Sequence, residues 1–251
     1  ETDREDVARL ITKYDLLSVP VVDPDDHVIG IVTFDDVIDA MIAETTEDVQ
    51  KLGGMEALDE PYNEIGFVAM IRKRAGWLSI LLLGEMLTAS AMQFFEAELE
   101  KAIVLTLFIP LIMSSGGNSG SQATSLIIRA LALREITLKD WWRVALRELP
   151  SGLVLGAILG AIGIARIALW QWLGFYDYGP HWMLIAATVG GALLGIVTFG
   201  SLMGSMLPFA LKRFGFDPAS ASAPLVATLV DVTGLVIYFG VAALILTGTL
   251  L

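Results

Sequence analysis

The chain has 251 residues, 55% of them hydrophobic, with a mean hydropathy of +0.68 and a formal net charge of -12. That hydropathy is too high for an ordinary soluble domain, and the acidic balance argues against nucleic acid as a partner and in favour of cations. Cysteine is absent and His27 and His181 are the only imidazoles, which excludes disulfides, thiolate metal sites and a histidine-based zinc site.

The charge is unevenly divided. Residues 1–64 hold 18 acidic and 4 basic side chains, a net of -14, whereas residues 65–251 hold 10 and 12, a net of +2. An acidic, soluble-looking front end thus precedes a hydrophobic body. The first residues are polar and acidic, unlike a signal peptide, so the apolar segments themselves are expected to direct membrane insertion.

In the front end, "SVPVV" predicts a strand, "DPDDH" a turn and "VIGIVT" a second strand. A helix is predicted from Asp35 to Leu52, carrying Asp36, Asp39, Glu47 and Asp48 with few basic residues to offset them. Such a charge run is ordinarily a solvated face; the excess of like charge here suggests a structure that needs cations to pack.

Five stretches then reach the roughly 20 apolar residues a bilayer requires: Trp77 to Phe95, Ala102 to Leu133, Leu149 to Leu173, Trp182 to Leu211 and Ala219 to Thr247. Arg72, Lys73 and Arg74 precede the first. Arg134, Lys139, Arg143 and Arg147 lie between the second and third, and Lys212 and Arg213 follow the fourth. The opposite loops hold Glu96, Glu98, Glu100 and Lys101, then Asp177 and His181. Positive charge on one side throughout predicts a cytoplasmic front end and an outside C-terminus. Arg166 is the exception, expected to snorkel to the outer interface. Glycines at close-packing intervals, among them Gly152, Gly156 and Gly160, then Gly191, Gly195, Gly200 and Gly204, predict helix contacts through small residues.

Polar residues inside the spans are the functional signal. Asp231 lies roughly 20 Å along the fifth stretch if that helix starts at Pro218, and a carboxylate there should face a cavity, a partner or an ion. Ala223, Ala227, Asp231 and Gly234 share a narrow face, which could let two copies of the helix approach and present two carboxylates to one divalent cation. The bland reading is an Asp hydrogen-bonded to another helix. Glu85 in the first span carries a weaker version of the same signal. "SSGGNSGSQ", from Ser114 to Gln122, predicts unwound backbone lining a cavity, with carbonyls at Gly116 and Gly117 and the Asn118 oxygen as hard ligands for Mg²⁺ or its waters. A simple loop between two short helices is the alternative. Asp217 before Pro218 predicts a helix cap, with a ligand at the pore mouth as the second reading. No nucleophile lies with a His and a base, so no enzyme activity is expected.

"VPVVD…GIVTFDDV" resembles the second half of a CBS domain, with the first strand and helix of a complete domain missing. Gly30, Thr33 and Asp36 match a pattern that in some of these domains contacts the ribose of an adenine nucleotide such as ATP, making Thr33 and Asp36 candidate nucleotide contacts. Together with the acidic "AETTEDVQKLG", the "GGNSGSQ" of the second span and "PLVATLVDVTGL" of the fifth, this resembles the MgtE family of magnesium channels. The resemblance implies a polytopic, mainly α membrane protein of five transmembrane helices per chain, preceded by a partial α/β CBS-like segment. It divides the chain into a CBS part over residues 1–43, an acidic connecting (plug) helix and linker over 35–64, and a pore domain over 65–251. It further implies a homodimer in a bacterial inner membrane with Asp231 and Asn118 lining the pore, and cytosolic Mg²⁺ at Asp36, Asp39, Glu47 and Asp48 closing it. Ala223 departs from the asparagine some relatives carry there, and the family's N-terminal acidic domain is not in the chain. A proton-coupled carrier and a membrane-anchored nucleotide sensor are the rival readings.

Overall fold

Within hydrocarbon every backbone N–H and C=O must be satisfied inside its own segment, which for this apolar body means helices. The computed structural model describes residues 2, 4–97 and 102–250 and contains five helices long and apolar enough to cross a membrane. The loop residues Glu98, Glu100 and Lys101 lie outside the described residues. The chain divides into two compact units: residues up to Gln50 with Ala57–Ile65, and Lys51–Glu56 with everything from Gly66.

The first unit opens with a helix that the sequence reading did not foresee, α1 (Arg4–Tyr14). Strands β1 (Ser18–Val22) and β2 (Val28–Thr33) follow as an antiparallel pair, Ser18 opposite Thr33 and Val21 opposite Gly30. Their turn is tied by Asp23, whose Oδ1 accepts from the amides of Asp25 and His27 at 3.0 and 2.8 Å. Helix α2 (Phe34–Leu52) starts directly from β2. Ala8 and Ile11 of α1 meet Val37 of α2 in a small core, with Leu16, Val19 and Val32 packed against it.

In the second unit α3 (Phe67–Phe94) is followed by a 3-10 segment at Ile103–Phe108 and by α4 (Ile109–Ala132). Helices α5 (Trp141–Leu173), α6 (Trp182–Arg213) and α7 (Ala223–Leu246) complete it. Helix α6 is the centre and packs on α4, α5 and α7, while α3 rests chiefly on α7. Among the described elements, lipid tails give helices no hydrophobic reason to associate, so close packing must hold them. The predicted glycines supply it. A Cβ on Gly156 of α5 would stand 2.8 Å from the Leu194 carbonyl of α6, and one on Gly160 2.8 Å from that of Gly190. On another side of α6, Gly200 and Gly204 press on the carbonyls of Gly116 and Gly120 of α4 so closely that any side chain would collide.

That crossing corrects the reading of the second span. Residues 114–122 are helical throughout. Glycine weakens an isolated helix, but here the missing side chains admit α6, and packing outweighs propensity. The irregular backbone lies upstream, in the 3-10 segment before Pro110. The fifth span is corrected too. Asp217 caps only a short turn at Pro218–Ser220, accepting from the Ala219 amide, and α7 starts at Ala223 with Ser222 as its cap.

Candidate ion site

Helix α7 meets its neighbours through different sides. Ala227 lies against Gly117 and Gly234 against Met113, both on α4, and the Ser121 hydroxyl donates to the Ala223 carbonyl at 3.4 Å. The small-residue face anticipated as a seam between two copies is therefore largely taken up by α4 of the same chain. Toward α3, Ser222 accepts from Trp77 Nε1 at 3.3 Å, Thr228 lies against Gly84, and Phe239 stacks on Phe95 with centroids 4.7 Å apart. At 100° per residue, Asp231 falls between these two sides, in the angle that α3 and α4 make with α7.

There Asp231 is half-buried and finds a partner that sequence reasoning left open. The Glu85 carboxyl of α3 lies within hydrogen-bonding reach of it. Two carboxyls in contact at this depth need a proton or a cation between them. Among the described residues neither has a basic partner.

Asn118 stands on the exposed face of α4, its amide 3.4 Å from the Ser114 hydroxyl. Gly116 is turned away, buried against Ile196 and Val230, and Gly117 is covered by Ala227. Their carbonyls belong to a regular helix, so the expectation that Gly116 and Gly117 offer free oxygens to an ion is corrected. A separate cavity of about 520 Å³ between α4 and α5 is lined by Leu107, Leu111, Ser115, Leu159 and Arg166. The Arg166 guanidinium lies 4.4 Å over the Trp170 ring and donates to the Tyr178 hydroxyl. A fixed positive charge makes this cavity unsuitable for a cation path.

Asp217 is doubly engaged at the N-terminal end of α7. Oδ1 caps the turn, and Oδ2 takes the Lys51 ammonium at 2.5 Å. Lys51–Glu56 forms a strap here. Leu52 packs with Ala219, Ala221 and Leu211, Gly54 meets Trp77 and Pro224, and the Glu56 amide donates to the Lys73 carbonyl at 3.2 Å.

In the first unit, Asp36 Oδ2 accepts from both the Thr33 amide, at 2.9 Å, and the Thr33 hydroxyl, at 2.6 Å. These bonds, the hydroxyl first, hold the Asp36 carboxyl below the usual carboxylate range. Both candidate nucleotide contacts thus serve as a helix cap, a role the sequence reading missed although Thr and Asp three residues apart signal it. Asp39 is exposed, and Glu47 and Asp48 are partly buried further along α2. The four acids are spread along the helix and do not converge. Among the described residues the three-group convergence lies elsewhere, at Asp23, Asp25 and His27 in the strand turn.

Against this geometry stand the comparisons. Residues 109–241 match the profile of the MgtE family, described as a divalent cation transporter, and residues 1–43 that of the CBS domain. The chain is similar to the magnesium transporter MgtE of Thermus thermophilus, 47% identical over 246 residues, covering 98% of this chain and 52% of that protein. It is similar also to magnesium transporters MgtE of Enterococcus faecalis, 37% identical over 242 residues, and Bacillus subtilis, 34% over 240; each alignment covers 96% of this chain and 51% of the relative. The chain spans about half the length of the curated relatives it matches.

Proposed function

Since the chain belongs to the MgtE family of divalent cation transporters, we propose that the full-length protein is a homodimeric Mg²⁺ channel. It admits the ion down its electrochemical gradient through the bacterial inner membrane, with the N-terminal region cytoplasmic and the C-terminus outside. The observation that carries this reading is Asp231, a carboxylate inside a membrane helix with no basic partner among the described residues, in the angle between α3 and α4. Mg²⁺ gives up water reluctantly, so the ion is held as a hydrate, by outer-shell hydrogen bonds to Asp231 of each chain. Asn118, on the exposed face of α4, supplies a further oxygen along the path. Two carboxylates balance one divalent charge, and among the described residues no basic side chain neutralises them first.

Cytosolic Mg²⁺ then closes the channel through the acids of α2. Asp36, Asp39, Glu47 and Asp48 do not form one site within a chain, so the regulatory ions bridge α2 to acidic surfaces elsewhere in the full-length dimer. Bound cations relieve repulsion between like-charged faces and stabilise the closed packing. Asp217, held by Lys51, belongs to the mouth, and Thr33 with Asp36 is the candidate contact for ATP.

The contact between Glu85 and Asp231 favours one second reading, a carrier that exchanges protons for divalent cations. The test is Mg²⁺ entry into liposomes carrying the full-length protein. Asp231→Ala should abolish entry while the protein still elutes as an intact dimer, and wild-type flux should follow the Mg²⁺ gradient and voltage without needing a pH gradient. Flux that persists in Asp231→Ala would remove the carboxylate from the path. Flux that requires a pH gradient would establish the carrier.

A further inference from the structure

Glu85 is set in place by a run of contacts rather than by chance proximity. Trp77, Leu81, Gly84, Glu85, Thr88, Ala91 and Phe95 recur at helical spacing and form the less exposed side of α3. Trp77 reaches Ser222 near the start of α7 and Phe95 stacks on Phe239 near its end, so the two helices run parallel in a fixed register. Between those contacts Gly84 lets α3 come close, because a Cβ there would strike the Thr228 methyl. One residue on from Gly84, the Glu85 carboxyl reaches Asp231.

A second observation lies on the same side of α3. The Thr88 hydroxyl oxygen is buried without a hydrogen-bond partner. Ser79, Ser90 and Thr233 on the same two helices bond back to the carbonyl four residues earlier, at 2.7 to 3.1 Å. Thr88 makes no such bond and is left with an oxygen for a ligand or its water, one turn beyond Glu85.

We propose that Glu85 is a second ion-binding carboxylate, placed by α3 beside Asp231, so that each chain offers a divalent cation two carboxylates and a dimer offers four. The Thr88 hydroxyl takes a water of the hydrated ion. Four negative charges exceed what one divalent cation neutralises. A second ion can then enter before the first has left, and the mutual repulsion speeds departure. Charge count also sets affinity for a hard cation and rejects monovalent competitors. The proposal rests on the reading of Asp231 as part of the ion path.

The experiment measures Mg²⁺ flux against Mg²⁺ concentration for the full-length protein in liposomes, comparing wild type, Glu85→Gln, Glu85→Ala and Asp231→Ala. Glutamine keeps the size and hydrogen-bonding capacity of Glu85 and removes its charge; alanine removes both. The expected result is a half-saturating Mg²⁺ concentration raised by about tenfold in both Glu85 variants. Stronger inhibition by Na⁺ should accompany it, with unchanged elution and thermal stability in Glu85→Gln. A purely structural role would instead lower the amount of active protein and leave the concentration dependence alone. Glu85 variants that saturate like wild type, beside a dead Asp231→Ala, would overturn the role of Glu85 and leave the Asp231 reading standing. Wild-type flux in Asp231→Ala would overturn both.

Discussion

Thr33 gives its amide and its hydroxyl to one oxygen of Asp36, and the bond pair joins the end of β2 to the first turn of α2. Because these donors pull the carboxyl below its usual range, the link is fully present above about pH 4, the ordinary carboxylate value. It is lost as pH falls through the lower value of the folded chain. The protection factor of the Thr33 amide against hydrogen exchange, corrected for the intrinsic pH dependence, should therefore be constant from neutral pH down to about 4 and fall below it. Loss of protection already between about pH 7 and 5 would contradict the assignment. The residue scale is also where sequence reasoning reached Asp231 but not its surroundings. A carboxylate among apolar residues announces itself, whereas Glu85 is separated from it by most of the chain. Only the register of α3 on α7 brings the two together. The cap at Thr33 was legible in principle, in a Thr and an Asp three residues apart at the start of a helix.

At the scale of elements, long apolar stretches made all five spans readable, since hydropathy reports burial in lipid directly. Where α4 is irregular was not readable. Gly and Ser at membrane depth can mean unwound backbone or a close helix crossing, and the choice lies with α6, which supplies Gly200 and Gly204 opposite Gly116 and Gly120. Helix α1 was missed because it carries five charged residues among eleven and only a narrow apolar stripe. The crossing itself gives a prediction. Gly204→Val should cost on the order of 1–3 kcal/mol or more, read as a lower melting temperature of the detergent-solubilised protein. Gly240→Ala, where a Cβ would meet nothing within 4 Å, should leave it unchanged. Equal effects would mean the glycines are not at a contact. The strap gives another. Lys51→Met removes the ammonium at Asp217 and should speed amide exchange at Glu56 several-fold, whereas exchange at Ser222 in the α7 cap should hold. Unchanged exchange at Glu56 would show that Leu52 and Gly54 suffice to dock the strap.

At the scale of the molecule, α6 is clamped on three sides and α3 on one. Synthesis makes that difference matter. The chain emerges N-terminal end first, so of the five described spans α3 enters the bilayer first and α7, its one substantial partner among them, enters after the other four. Throughout that interval Glu85 rides in a helix with no Asp231 beside it, and an isolated charged carboxylate at such depth opposes insertion by roughly 2.5–3.5 kcal/mol. Docking of α3 therefore waits on α7: until that helix arrives, α3 is a guest of the insertion machinery rather than a member of the bundle.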